Sequence, residues 1–211
     1  MGDLIIKPAS SGSLKIQDQA GTDKFVINNS GITSTLPPGM VIEEFCSPCD
    51  GSAITVQSGT YTLGNVSAGQ DFTDTYADVT GSSITYTPPT GTQTVVYSFT
   101  FHVSGEGTHQ SLIGHTRLYL AGTEVVYARH SFADQTGYDE RSATIIWSFN
   151  IGGSADANTG RVATWTSGKE IKLQARRYSS SHKMSFHETF HFDGANSNQL
   201  HVPILNIKAL S

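Results

Sequence analysis

Apolar residues alternate with polar ones along much of this chain, and this period of two constrains the fold more than any other feature. In the clearest stretch, Val95, Tyr97, Phe99, Phe101 and Val103 share one parity. Successive side chains of a β-strand point to opposite faces, so the stretch predicts a strand with one face buried. Because no segment of convincing length shows a helical period, we predict an all-β protein.

Further segments repeat the alternation. Arg117–Arg129 is predicted to form a hairpin with its turn at Ala121-Gly122, and residues 143–151 again place apolar side chains on one parity. Roughly eight to ten strands in residues 53–211 predict a β-sandwich head of the jelly-roll type. An immunoglobulin-like sandwich is the nearest alternative.

Residues 1–36 differ from the rest, because their strands are short and carry few large apolar side chains. Ordering each residue costs roughly 1–2 kcal/mol in backbone entropy, whereas each buried apolar side chain contributes about 1.5–3 kcal/mol. A single copy therefore cannot stay ordered by itself. We predict a short N-terminal β-stem within an intertwined homotrimer, with contacts to neighbouring chains made by its apolar residues: Leu4, Ile6, Leu14, Ile16, Phe25 and Ile27.

Leu36-Pro37-Pro38-Gly39 breaks this pattern and is predicted to end the stem. Residues 37–52 are then expected to be a linker that contains the turn Cys46-Ser47-Pro48-Cys49. A redox Cys-x-x-Cys opens a helix, and a structural zinc site needs two further ligands with suitable spacing. The sequence offers neither, which leaves two free thiols or a local disulfide as alternatives.

Near the C-terminus, the residues from His187 to His191 match H-E-x-x-H, the zinc signature of metalloproteases. On a helix the two histidines would lie about 6 Å apart and share one zinc ion, whereas on a strand about 13 Å would separate them. The flanking residues alternate with a period of two, and Ser197 occupies the third ligand position. We therefore predict a strand without metal or other cofactor, on which His187 and His191, like His102 elsewhere, are polar cover of outward faces.

The composition argues against several classes of function. Charged residues make up only 15% of the sequence and the formal net charge is −5, which argues against binding of nucleic acid. No apolar run approaches the ~20 residues of a membrane span, and MGDLIIKPASSG is not a typical secretory signal. The sequence contains neither G-x-S-x-G nor a phosphate-binding loop, so we expect no enzymatic activity.

Several segments resemble structural proteins of tailed bacteriophages. GDLIIKPASSGSLKIQDQAGTDKFVINNSGIT resembles the N-terminal repeats of phage fibre and appendage proteins, particularly those of marine phages. Small virion proteins of phages that infect marine cyanobacteria and related hosts are similar to segments further along the chain: PPGMVIEEF, CDGS, GSSITYTPPTGTQTVVYSFTF, SFNIGG, RVATWTSGKEIKLQARRY and VPILNIKAL. The resemblance spans nearly the whole chain, but none of these segments is a catalytic motif.

This resemblance implies a homotrimeric surface fibre or spike of the virion, assembled in the host cytoplasm and released by lysis. The N-terminal segment and its apolar residues would contact other virion proteins, and the sandwich head would be displayed outwards, with host-surface glycans or proteins as partners. A capsid decoration protein that stabilises the head shell is a close alternative. A hydrolase that acts on host glycans is a distant one.

Loops on a rigid sandwich are the expected place for recognition. The loop at residues 131–141 carries aromatic, acidic and basic side chains, and residues 152–160 form a second, polar loop. We name Tyr138, Arg141 and Arg161 as candidate receptor-binding residues. The alternative is that all three are ordinary solvated loop residues, as most exposed polar residues are.

Overall fold

The structure is a computed structural model that describes residues 12–17, 19–21, 23–28, 31–32, 37–105, 111–134, 140–190 and 198–211. The described residues form strands and turns without any helix, so the prediction of an all-β protein is confirmed. In the part of the chain that the structure describes, no helix is long and apolar enough to cross a membrane.

The strands are numbered in chain order. They are β1 (Leu14–Gln17), β2 (Asp23–Asn28), β3 (Gly31–Ile32), β4 (Val41–Pro48), β5 (Ala53–Val56), β6 (Gly59–Thr62), β7 (Gln70–Asp71), β8 (Ala77–Asp78), β9 (Ile84–Tyr86), β10 (Thr94–Ser104), β11 (Ile113–Leu120), β12 (Thr123–Ala133), β13 (Glu140–Asn150), β14 (Lys169–Arg177), β15 (Ser185–Phe186), β16 (Glu188–Thr189), β17 (Gln199–Leu200) and β18 (Ile204–Leu210).

The chain divides into two compact units, Met1–Met40 with Ser211, and Val41–Leu210. Strands β1, β2 and β3 form the antiparallel sheet of the smaller unit. The backbone register between β1 and β2 places Leu14 opposite Ile27 and Ile16 opposite Phe25. Leu4 and Ile6, which were also predicted to contact neighbouring chains, lie outside the described residues.

Two sheets dominate the larger unit. In the first sheet the order is β13-β10-β18-β4, and β15 and β7 extend the sheet beyond the end of β18. In the second sheet the order is β12-β11-β14, and both β8 and β9 pair with β14. The remaining strands form two short hairpins, β5 with β6 and β16 with β17.

The inner faces of these two sheets share one hydrophobic core. The five alternating side chains of β10 are all fully buried, as their parity predicts. The rings of Phe101 on the first sheet and Phe132 on the second meet with their centroids 6.1 Å apart. The larger unit is therefore a β-sandwich, and the predicted inward face of β10 is confirmed.

The predicted hairpin is also present. Strands β11 and β12 pair on either side of Ala121 and Gly122, whose φ angles are 49° and 79°. A two-residue turn with positive φ at both positions matches the right-handed twist of the flanking strands. The turn at Ala121-Gly122 is thus confirmed.

The segment expected as a linker contains β4, a strand of the first sheet that pairs with β18. Cys46 lies exposed on this strand and Cys49 lies buried just after it, and both are free thiols rather than a disulfide. Burial raises the pKa of the Cys49 thiol to about 12. This cysteine is therefore an inert member of the core, since the thiolate is the reactive form.

Candidate functional site

The structure separates the predicted receptor-binding residues. Tyr138 lies outside the described residues. Arg141 lies near the start of β13, with its Cζ atom 5.8 Å from the centroid of the Phe132 ring. Arg161 lies beyond the other end of that strand, next to the bridge between Ile151 and Val162. Ten residues of strand span about 33 Å, so the two arginines do not share a site.

Arg161 forms part of a pocket of about 260 Å³ at one end of the sandwich. Three segments of the chain meet there, namely the turn between β11 and β12, the loop that follows β13, and the first residue of β14. The residues that line the pocket are Leu120, Ala121, Thr123, Val125, Ala155, Asp156, Ala157, Gly160, Arg161, Val162 and Lys169. An aliphatic floor is thus surrounded by a hydroxyl, a carboxylate and two cationic side chains.

The loop in the pocket wall is held in shape by hydrogen bonds. The Asp156 carboxylate accepts hydrogen bonds from the Asn158 amide and from the Thr159 hydroxyl, each at 3.0 Å. The loop is also tied to the sandwich, because the Tyr127 amide donates to the Asn158 carbonyl at 3.0 Å and the Trp147 indole donates to the Thr159 carbonyl at 2.9 Å. The polar groups of the pocket wall are therefore held in a defined arrangement.

Gly160 allows this loop to pack closely on the core. Its φ is +70°, and a Cβ atom at this position would lie 2.9 Å from Cδ1 of Phe149 and 3.1 Å from Cγ2 of Val125. A side chain would therefore meet both a left-handed backbone and a core ring that must shift. The shape of the pocket therefore requires glycine at position 160.

Gly160→Ala should lower the free energy of unfolding by about 2 kcal/mol, roughly half from the left-handed backbone and half from displacement of the Phe149 ring. Urea denaturation measures the change. Gly153→Ala is the matched control, since Gly153 has a φ of +71° in the same loop and no atom within 4 Å of the added Cβ. Equal losses for the two variants would contradict the close packing of Gly160.

The electrostatics of the pocket favour a negatively charged ligand. Arg161 is exposed and Lys169 is half-buried, and no ion pair within the described residues neutralises either side chain. Asp156 is the carboxylate among the lining residues, and its oxygens already accept hydrogen bonds from its own loop. The two cations therefore remain available to a ligand. The sequence pointed to Arg161 and to the polar loop at residues 152–160, but not to the lining residues of β11, β12 and β14, which lie far apart in the chain.

The histidine predictions need correction. The described part of the H-E-x-x-H segment is extended, as predicted, with β15 before His187 and β16 after it. His187 was predicted on an outward face, but its exposed fraction is 0%, and that of His102 is only 9%. The φ of His187 is +68°, which breaks the alternation between the two strands and turns the ring into the core. His191 lies outside the described residues.

His187 connects three segments at the end of the first sheet. Its amide donates to the His102 carbonyl at 3.0 Å, and its carbonyl accepts from the His201 amide at 2.8 Å. Phenylalanine rings surround its imidazole, with the centroid of Phe99 6.1 Å away and that of Phe101 6.4 Å away. Within the described residues neither ring nitrogen makes a well-formed hydrogen bond.

Burial lowers the pKa of His187 to about 4, although a weak backbone contact with Thr80 opposes this change and the nearby His201 adds to it. Burial also lowers the pKa of His102, against the attraction of Glu140, whose Oε2 lies 3.8 Å from the His102 Nε2. No group of three or more His, Cys, Asp or Glu side chains in the described ranges has a geometry that could hold a metal ion.

No protein-family model matches the chain, and no curated protein matches it significantly. A solved structure described as "EclA C-terminal domain; sugar-binding protein" aligns over 84% of this chain and 87% of its own, at 8% sequence identity and a TM-score of 0.26. A similarity this weak assigns neither a fold family nor a ligand to the chain.

Proposed function

We propose that this chain is a structural protein of a bacteriophage virion, a short homotrimeric surface fibre or spike whose head contacts the host surface. The observation that carries the proposal is the N-terminal unit, whose sequence resembles phage fibre repeats. Among the residues of this unit whose burial the structure describes, none belongs to the buried core, and the Ile16 side chain is 58% exposed. A sheet with such exposed apolar side chains gains stability from neighbouring chains, because they cover its apolar side chains and its free edges.

We infer that the sandwich head is a jelly roll. The first sheet has the order β4-β18-β10-β13, and the second sheet has the order β9-β14-β11-β12. Among these eight strands, each strand and the next one along the chain lie in different sheets, except for β11 and β12, and the last strand, β18, returns beside β4. Eight strands connected in this way correspond to the two Greek keys of a jelly roll.

The outer face of the first sheet supports self-association of the head. Val41, Ile146 and Ile204 project from it with exposed fractions of 49%, 62% and 41%. The charged side chains in the middle of this face, Lys208 and Glu44, neutralise each other at a Nζ–Oε1 distance of 3.2 Å. Exposed apolar groups with little net charge are typical of surfaces that become buried between subunits.

The outer face of the second sheet has the opposite character. It carries several ion pairs, such as Arg129 with Glu124 at 2.7 Å and Lys172 with Asp78 at 2.8 Å. Burying such charged groups against another subunit would cost free energy of desolvation. The contrast supports a trimer in which the first sheet faces neighbouring copies and the second sheet faces solvent.

Ile16→Lys should dissociate the trimer and lower the molecular mass measured by light scattering about threefold, because it places an ammonium group in the proposed contact. Gln19→Lys, which adds the same charge at an exposed turn of the N-terminal unit, is the control and should remain trimeric. A wild-type protein that is monomeric at micromolar concentration would refute the proposed assembly.

Location of the protein in a virion reconstruction tests the functional proposal directly. Density for trimers on the tail or on a fibre that projects from the particle would support the spike. Density spread over the capsid lattice would instead identify the alternative function, a decoration protein that stabilises the head shell. Release of sugars from host polysaccharide by the purified protein would favour the more distant alternative, a glycan-acting hydrolase.

A further inference from the structure

We propose that the pocket at Leu120, Asp156, Arg161 and Lys169 binds an acidic saccharide, a sugar unit that carries a carboxylate. Ligand binding is a property of the sandwich and is independent of where the protein is located. Its use as the host-contact site of the head rests on the function proposed above. Three groups of pocket residues each match one part of such a ligand: the cationic side chains, the aliphatic floor and the remaining polar groups.

The cationic side chains match the acid group. Arg161 and Lys169 approach the pocket from different segments, the loop after β13 and the start of β14. Within the described residues neither forms an ion pair, so a ligand does not have to displace an internal partner. A carboxylate is a natural partner of the planar guanidinium group, which can donate two parallel hydrogen bonds to it. The chain as a whole is acidic, with a net charge of −5, so this pair of cations is a local exception.

The floor and the remaining polar groups match the sugar ring. Leu120, Val125 and Val162 provide an aliphatic surface for the C–H face of a pyranose. Thr123 supplies a hydroxyl, and Asp156 supplies a carboxylate that its own loop holds in position. Each carboxylate oxygen has a further lone pair that can accept a hydrogen bond from a sugar hydroxyl. A ligand with an anionic end, an apolar face and hydroxyl groups fits this lining better than a purely anionic ion or a purely apolar molecule.

The pocket size sets the length of the ligand. A volume of about 260 Å³ lies just below the range of ordinary small-molecule sites, about 300–1,000 Å³. The pocket therefore accommodates one sugar unit, and the rest of a polysaccharide would extend into solvent. Binding of a single unit is expected to be weak, with dissociation constants in the millimolar range. Three heads on one trimer would raise the overall affinity for a polysaccharide through avidity.

Titration of the full-length ¹⁵N-labelled protein with D-glucuronate, followed by amide chemical shifts, tests the proposal. D-Glucose is the matched ligand without the carboxylate. We expect saturable shifts for residues 120–125 and 155–162 with glucuronate, at least tenfold weaker binding of glucose, and weaker glucuronate binding at high salt. Arg161→Gln and Lys169→Gln should each weaken glucuronate binding about tenfold, the loss expected for one charge-assisted hydrogen bond. Lys172→Gln removes a cation from outside the pocket and should leave the affinity unchanged.

Three outcomes would overturn the proposal. They are equal binding of glucose and glucuronate, shifts located elsewhere on the molecule, and unchanged affinity in both Arg161→Gln and Lys169→Gln. Tighter binding of an acidic peptide at the same residues would replace the saccharide with a protein partner. A trimer that fails to bind glucuronate would refute only this inference. A monomer that binds it would refute only the proposed assembly.

Discussion

Replacing Phe101 with alanine should lower the free energy of unfolding by about 3–5 kcal/mol, the cost of removing a buried phenylalanine from a close-packed core. The Phe101 side chain is fully buried. Its ring centroid lies 4.3 Å from that of Phe186 and 5.4 Å from that of Phe99 on its own sheet, and 6.1 Å from that of Phe132 on the other. The substitution would thus leave a cavity bordered by both sheets.

Urea denaturation at neutral pH and fixed protein concentration measures this effect. The neighbouring Thr100→Ala is the matched control, because Thr100 lies on the opposite face of β10 and its hydroxyl only pairs with that of Thr144 across the sheet. We expect a loss below about 1 kcal/mol for the control. A loss for Phe101→Ala no larger than that of Thr100→Ala would contradict a core shared by the two sheets.

The side chains of β10 show how much of the fold the sequence could predict. Alternation alone identified five of the seven buried residues of this strand, because a strand within a two-sheet sandwich must direct every second side chain inwards. It did not identify His102 and Ser104, which are buried on the other parity. The turn at Ala121-Gly122 was predictable because glycine, its second residue, adopts positive φ without strain and lies between two alternating segments. Local pattern was sufficient wherever the structure depends on local geometry.

His187 shows where the pattern failed. Its parity in the sequence is that of an exposed residue, but a single left-handed residue shifts the phase of the alternation. Glu43 is a second case. Its charged side chain points into the core, where the carboxylate accepts hydrogen bonds from the Tyr86 hydroxyl at 2.7 Å and from the Ser58 amide at 2.8 Å. Those partners lie in other strands and loops, so no local pattern reports them.

The candidate pocket was beyond sequence reasoning for the same physical reason. Its lining comes from the end of β11, the start of β12, the loop after β13 and the start of β14, segments that meet only after both sheets have formed. Arg161 could be named because it is a basic residue beside a polar loop, but Lys169 carried no such signal. Arg141 was named by equal reasoning and lies at the opposite end of β13 from Arg161.

Acidification should destabilise the protein between pH 6.5 and pH 4 through His187. In the folded state burial holds its pKa at about 4, compared with an ordinary value of 6.5. Above pH 6.5 the ring is neutral in both states and contributes no pH dependence. Below that value the unfolded chain binds a proton that the folded chain does not, so stability falls with decreasing pH until the folded pKa is reached. The full difference corresponds to about 3 kcal/mol.

The other titratable groups around His187 either add to this loss of stability on acidification or are too weak to cancel it. Burial also lowers the pKa of His102, and the charge of His201 when protonated further disfavours a proton on His187. The Glu140 carboxylate, whose Oε2 atom lies 3.8 Å from Nε2 of His102, offsets only part of the lowering of the His102 pKa by burial. Carboxylates with lowered pKa values release their stabilising contribution only below their ordinary values, which are 3.8 for Asp78 and 4.5 for Glu44 and Glu124, so they affect only the lower edge of this window. The window between pH 6.5 and pH 4 therefore belongs chiefly to the buried histidines.

His187→Asn separates this effect from general acid sensitivity, because asparagine tolerates the left-handed backbone at this position and does not titrate. The variant should be less stable than the wild type at pH 7, since a smaller polar side chain replaces the buried ring. It should nevertheless lose about 3 kcal/mol less on acidification to pH 4, when urea denaturation is repeated across the range. His130→Asn makes the same change at an exposed position and should keep the wild-type slope. If His187→Asn also kept that slope, the imidazole of His187 would have to be protonated in the folded protein, and the buried, neutral ring would be the wrong description of this site.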